Sequence, residues 1–238
     1  MFTKIAIIGT GNIGTWLFKT LQNQNNISAV SVSGRKIETL PKDCDLYIFA
    51  LKDDIYEDVL QQISFKMPYA VHTSGSLSQS ILTPFAEKVG VLYPYQTITQ
   101  KAEIRKQEFE IPICLESCDL IFENALFYWA KSVFHNVHKI DEKQRFSMHL
   151  AAVFACNFTN AMYNIAYRIF KENNLNWSLI FPLLDHTLEK AKNDEPCKVQ
   201  TGPAVRGDVS VMEKHCEALD DEELKKIYKI ISKIIALN

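Results

Sequence analysis

Three glycines spaced Gly9-x-Gly11-x-x-Gly14 follow the apolar run Ile5-Ala6-Ile7-Ile8, and a helical pattern through Leu17, Phe18 and Leu21 begins at once. Each glycine has a task in a turn built for a dinucleotide. Gly9 permits the tight strand-to-helix turn, Gly11 lets a pyrophosphate approach bare backbone, and Gly14 lets the helix pack on the strand. Asn12 and Ile13 complete the turn, and the helix start offers free N–H groups and a partial positive charge to phosphates. The alternative is a glycine turn that holds no ligand.

A reduction at such a cofactor needs a seat for a carbonyl or imine beside the nicotinamide and a source of protons. In open α/β sheets ligands bind beyond the carboxyl ends of the strands. The sequence puts Leu51, Lys52, His72, Ser74, Tyr93 and Gln96 at such ends. His72 can act as acid or base near neutral pH; alternatively it is a hydrogen-bonding residue that shapes the turn beneath the nicotinamide. Ser74 and Gly75 suit contacts to cofactor or substrate better than nucleophilic attack, because no base accompanies the serine in sequence. On a later helix, His149, Cys156 and Asn160 share one stripe, with Asn157 to one side. They sit among Ala151, Ala152, Val153 and Phe154, so they either face a cleft or satisfy one another in a helix contact. His72, His149, Asn157 and Asn160 are the candidate catalytic residues. Gln96 and Arg206 are the candidate substrate ligands, Arg206 as a clamp for a carboxylate or phosphate. The alternative for Arg206 is a pair with Asp208, which would then cap the following helix.

The cofactor is distinguished at the end of the second strand. An acid about 20 residues past the glycines would accept from a ribose 2′-hydroxyl. Ser33, Gly34, Arg35 and Lys36 stand there instead. A hydroxyl and a guanidinium fork suit a 2′-phosphate, so NADP is expected over NAD; the alternative is a pair of cations that solvate a loop. The expected cofactor set is Gly9, Gly11, Asn12, Ile13, Gly14, Ser33, Arg35, Leu51, Lys52 and Ser74.

These residues need an alternating framework to hold them. Strands are expected over 5–8, 27–32, 45–51, 69–72, 90–93, 111–115 and 136–140, with helices between, Leu120 to Phe134 among them. That alternation implies a parallel, doubly wound sheet. Asp53 or Asp54 is expected to cap the helix that carries Val59 and Leu60, and Ser76 or Ser78 the next one. After Asp141 the pattern changes to helices only, over about 143–172, 177–192, 208–219 and 221–236. In the last, Leu224, Ile227, Tyr228, Ile231, Ile234 and Ile235 form one apolar face, a core or subunit-interface stripe. The expected architecture is an α/β Rossmann domain over 1–140 and an all-α substrate or dimerisation domain over 141–238.

Bulk properties fit this outline. The 238 residues are 47% apolar and 23% charged, with a formal net charge of −2. That charge gives no field for nucleic acid or an anionic membrane. No apolar run is long enough to span a bilayer, and no signal peptide is apparent. The six cysteines lack CxxC spacing, and no metal site is expected. They are expected as reduced, mostly buried thiols of a cytoplasmic protein.

The segments Gly9-Thr-Gly-Asn-Ile-Gly14, Ser33-Gly-Arg35 and Phe49-Ala-Leu-Lys52 resemble the N-terminal domains of pyrroline-5-carboxylate reductase and ketopantoate reductase. They are similar also to NADP-dependent deazaflavin oxidoreductases. His72-Thr-Ser-Gly-Ser76, Tyr93-Pro-Tyr-Gln-Thr97, Asn157-Phe-Thr-Asn160 and Gly202-Pro-Ala-Val-Arg206-Gly-Asp208 resemble a more specific, uncharacterised family. It joins a Rossmann-like domain to a helical domain of unknown function (family 2520). The resemblance covers essentially the whole chain. It implies a C-terminal domain like that of 6-phosphogluconate dehydrogenase, homodimerisation through it, and a small-molecule substrate that it does not name.

In several dehydrogenases of that superfamily a lysine stands four residues before an asparagine on the long helix and donates a proton. Here Val153 stands four before Asn157 and Cys156 four before Asn160. The expected activity is NADP-dependent reduction of a small carbonyl or imine compound. The missing lysine keeps open a non-catalytic NADP-binding module that senses redox state or regulates a partner.

Overall fold

Strand β1, Lys4–Ile8, splits its side chains between two hydrophobic cores. Ile5 and Ile7 enter one core, and Ala6 and Ile8 the other. Alternation along a strand sends neighbours to opposite faces, and a strand buried on both faces reads as a continuous apolar run. The computed structural model describes residues 2–99 and 111–237.

β1 lies in a seven-stranded sheet with β2 (Ser28–Val32), β3 (Leu46–Phe49), β4 (Met67–His72), β5 (Ala86–Pro94), β6 (Ile113–Glu116) and β7 (Val137–Lys139), in the order β2-β1-β3-β4-β5-β6-β7. Helices α1 (Asn12–Gln22) and α3 (Leu120–Val133) cover one face through Trp16, Leu17, Leu21, Phe122, Leu126 and Trp129. On the other face α2 (Tyr56–Leu60) packs Tyr56, Val59 and Leu60 against Tyr47 and Phe49. This is the expected doubly wound α/β arrangement with one correction. Strands β1 to β5 are parallel, but β6 runs antiparallel to β5, with Val91 opposite Glu116. An apolar strand has the same inward pattern read in either direction, so periodicity does not encode its sense.

The chain leaves β1 for β2 on one side and later returns to β3 on the other. The order therefore switches at β1, and a crevice opens beyond the carboxyl ends of β1 and β3.

After β7, the described residues form helices, turns and coil. Helix α4, Glu142–Ala152, begins in a capping box formed by Asp141 and Gln144. The single long helix expected over 143–172 is interrupted by a π-helical stretch, Val153–Phe158, before α5, Thr159–Glu172. The chain separates into two compact units, Met1–Asn160 and Ala161–Asn238, so α4 belongs with the sheet.

The second unit contains α6 (Phe181–Asn193), α7 (Pro203–Arg206), α8 (Val209–Glu217) and α9 (Glu222–Leu237). The Trp177 ring meets Tyr167, Phe170 and Phe181 edge-on at 5.3, 5.4 and 6.2 Å. Ile227, Ile231 and Ile234 of the α9 stripe stay exposed. No helix among the described residues is long and apolar enough to cross a membrane.

Two further expectations are corrected. Neither Asp53 nor Asp54 caps α2, whose N-cap is Ile55, with no side-chain bond; the Asp53 carboxylate is occupied elsewhere, as described below. The cysteines are free, but only Cys44 and Cys114 are buried, while Cys118, Cys156 and Cys197 are exposed. Ser78 does cap its turn, accepting from the Ser80 N–H.

Candidate functional site

The crevice at the strand ends is a cleft of about 990 Å3, lined by residues of the first unit alone. At one end lies the glycine turn. Gly9 has φ +123°, and a Cβ there would stand 2.1 Å from the Ala50 carbonyl oxygen. A Cβ on Gly14 would meet the Gly9 carbonyl oxygen at 2.0 Å. Backbone touches backbone at both points, and only glycine fits. Above Gly11 nothing of the protein lies within 4 Å. Gly11 caps α1 without a side-chain bond, and no acid occupies the first helical turn. The first N–H groups of α1 thus stay free for an anion, beside open space.

Beyond β2, the Ser33 hydroxyl accepts from the Arg35 N–H at 3.3 Å, shaping the turn so that Ser33, Gly34 and Arg35 all line the cleft. Arg35 is exposed there, as is Lys52 past β3. Two cations and a hydroxyl on one rim can hold a phosphate monoester beside a ribose.

The other end of the cleft is where protons can be handled. The Tyr93 hydroxyl lies 3.0 Å from His149 Nδ1. Burial pushes the Tyr93 phenol up to about 12, so it keeps its proton at neutral pH. A phenol can donate to the neutral imidazole or accept from the imidazolium. The imidazole lies against Gly75, where a Cβ would stand 2.5 Å from Nδ1. Below that turn, the Ser74 hydroxyl donates to the Asp53 carboxylate at 3.0 Å and accepts the Ser76 and Leu77 N–H groups at 3.1 and 3.0 Å. The Ser76 hydroxyl also bonds Asp53. Ser74 is a fully used turn residue, which suits a contact and not an attack.

The structure brings most of the expected site together. Gly9, Gly11, Asn12 and Ile13 line the cleft with Ser33, Arg35, Leu51 and Lys52, and so do Ser74, Gln96, His149 and Asn157. Gly14 packs beneath the turn. His72 lies outside the lining and is fully buried; its Nδ1 accepts from the Ser74 N–H at 3.2 Å. Burial, aided by the Arg145 guanidinium, holds His72 down at about 4, so the ring is neutral. That geometry is the one expected of a turn-shaping residue. Asn160 is exposed and outside the lining. Arg206, in the second unit, makes an exposed pair with Asp208 at 2.8 Å. Asp208 starts α8 without a side-chain cap. Sequence reasoning missed Arg145, which is buried on α4 one turn before His149. It also missed the role of Asp53.

Residues 111–235 match the family model described as a domain of unknown function, DUF2520. Among solved structures, a provisionally assigned NADP oxidoreductase of Bacteroides fragilis is 31% identical, with a TM-score of 0.87 over 100% of this chain and 99% of that one. An imine reductase of Myxococcus stipitatus in complex with NADP+ is 12% identical, with a TM-score of 0.63 over 98% of this chain and 91% of that one. A pyrroline carboxylate reductase of Plasmodium falciparum with NADP bound is 15% identical, with a TM-score of 0.54 over 98% of this chain and 99% of that one. The latter two show the shared fold. No curated protein matches the sequence.

Proposed function

The chain belongs to the DUF2520 family, and from that premise we propose that it is an NADP-dependent oxidoreductase that reduces a small carbonyl or imine compound. The observation that carries this is the Tyr93–His149 pair, 3.0 Å apart, in the same cleft as the glycine turn. The Bacteroides fragilis protein, assigned to NADP, supports the cofactor.

Gly11, Asn12 and Ile13 would hold the pyrophosphate through backbone N–H groups, while Gly9, whose N–H is spent on the Val32 carbonyl at 2.8 Å, makes the tight turn; Ser33 and Arg35 would take the 2′-phosphate. Gly14 allows α1 to pack at the angle that aims those groups. NADPH, when bound, supplies the hydride. The proton is this chain's own contribution. As imidazolium, His149 gives its Nε2 proton to the substrate oxygen or nitrogen and keeps the Nδ1 proton, which donates to the Tyr93 oxygen. Tyr93 stays neutral throughout, because burial keeps its phenol up at about 12. His149 thereby takes the part of the lysine absent at Val153 and Cys156. That absence favours the non-catalytic module; an acid already partnered in the cleft favours the enzyme.

Asn157 and Gln96 offer amides to orient the substrate. His72 is a positioning residue that holds the Ser74 turn, and Arg206, in the second unit, is paired with Asp208. The helical unit forms a homodimer through the exposed apolar stripe of α9, and the protein is cytoplasmic.

The test is NADPH oxidation against keto acids, imines and deazaflavins. Turnover that His149→Ala abolishes, with NADPH binding retained, is the expected result. Tight NADPH binding without turnover of any class would make the protein a binding module.

A further inference from the structure

The buried Arg145 has no part in the chemistry above, yet its guanidinium joins α4, which carries His149, to β6 and to the turn that holds Gly75. Its Nε and Nη2 donate to the two Glu116 oxygens at 3.2 and 3.1 Å. Nη1 donates to the Ser74 carbonyl at 3.0 Å, and Nη2 also to the Leu77 carbonyl at 2.7 Å. Arg145 is 1% exposed and Glu116 is 4% exposed. Burial pushes the Glu116 carboxyl up, and the guanidinium opposes that shift.

An ion pair so deeply buried is a poor device for stability alone. Apolar side chains of similar volume often hold a fold as well or better, because the desolvation of two charges offsets their attraction. What apolar residues could not supply is direction. The planar fork fixes angles as well as distances. Here it ties α4 to two carbonyls that flank Gly75, the residue on which the His149 ring rests. His149 follows Arg145 by one helical turn, on the same face of α4. Glu116 pairs with Val91 across the sheet, on the strand that also carries Tyr93. Both sides of the 3.0 Å Tyr93–His149 contact are therefore referenced to one guanidinium. The Ser78–Glu142 bond at 3.1 Å lies at the start of the same helix, and the Tyr95 bond to the Met148 carbonyl at 3.0 Å lies next to His149. Each is one bond, and neither reaches the Gly75 turn from within.

We propose that Arg145, seated on Glu116, is the positioning residue that sets His149 against Tyr93 and Gly75. The proposal rests on His149 as the proton donor of the reduction, and its test is chosen to survive the failure of that role. Arg145→Lys keeps the charge but loses the fork, and Glu116→Gln keeps the shape but removes the paired charge.

Two readouts apply to each variant. The first is kcat beside the dissociation constant for NADPH. A misplacement of about 1 Å costs roughly 100-fold in favourable cases, so kcat should fall at least about tenfold in Arg145→Lys, with NADPH affinity unchanged because the glycine turn is untouched. The second needs no turnover: nitrogen NMR of the ring-labelled protein. In the parent the 3.0 Å Tyr93 contact holds the neutral His149 ring in a single tautomer. In both variants the Nδ1 signal should move toward that of an imidazole with mixed tautomers, while the buried His72 signal keeps its neutral form. If the parent turns nothing over, the NMR result alone decides. If Arg145→Lys does not fold, Glu116→Gln carries both measurements. Folded variants whose His149 ring signal matches the parent's would overturn the proposal, whatever their activity.

Discussion

His72 makes the stability of this protein depend on pH in a way that can be worked out beforehand. Burial first, and the Arg145 guanidinium second, lower its pKa from 6.5 to about 4. In the unfolded chain the ring titrates normally, so between those values the unfolded state binds more protons than the native one. Stability due to the neutral ring is complete above 6.5 and is lost as the pH falls toward 4. For a shift of that size the loss is about 2 kcal/mol at about pH 5, a large part of a typical folding free energy. His72→Asn is the control, since its amide oxygen can still accept the Ser74 N–H but cannot titrate. Urea unfolding of both proteins at about pH 7.5 and about pH 5 measures the effect. The parent should lose about 2 kcal/mol more than the variant on acidification. Parallel losses in the two proteins would show that His72 is not held neutral, and the account of the Ser74 turn would fail with it.

Two further outcomes follow from the same geometry. Tyr93→Phe removes the acceptor for the His149 Nδ1 proton, so kcat should fall about tenfold while NADPH affinity holds, as steady-state kinetics and a binding titration would record. Gly14→Ala drives a methyl to 2.0 Å from the Gly9 carbonyl, with no flexible side chain to yield; the denaturant midpoint should drop by the equivalent of about 3 kcal/mol, and NADPH binding should be lost.

The parts of the site that sequence made legible are those fixed by local rules. The glycine turn, the strand ends that carry Lys52 and Ser74, and the Ser33–Arg35 rim follow from turn chemistry and from apolar runs of strand length. His149 and Asn157 were visible as polar groups in an apolar helical setting. What stayed hidden depends on partners far apart in the chain. Asp53 looked like a helix cap because a carboxylate before a helix satisfies local N–H groups, yet Ser74, 21 residues away, competes for it successfully. Nothing in the sequence singles out Arg145; only the fold puts Glu116 beside it, 29 residues earlier. A lone acid at the end of the apolar strand Ile113–Glu116 was the one available signal. The π-helical stretch at Val153–Phe158 leaves no mark on a period of 3.6, and it brings Val153, Cys156 and Asn157 to the cleft while Asn160 falls outside.

The claim at the centre is that this cleft holds NADP(H) through the glycine turn and Arg35. Dissociation constants for NADPH and NADH, measured on the parent and on Arg35→Ala, test it most directly. NADPH should bind the parent at least about tenfold more tightly than NADH, since a charge-assisted contact at an exposed rim is worth about that much. Arg35→Ala should remove most of that advantage and leave NADH affinity as it was. Equal affinity of the parent for the two cofactors, or an NADPH affinity indifferent to Arg35→Ala, would contradict it.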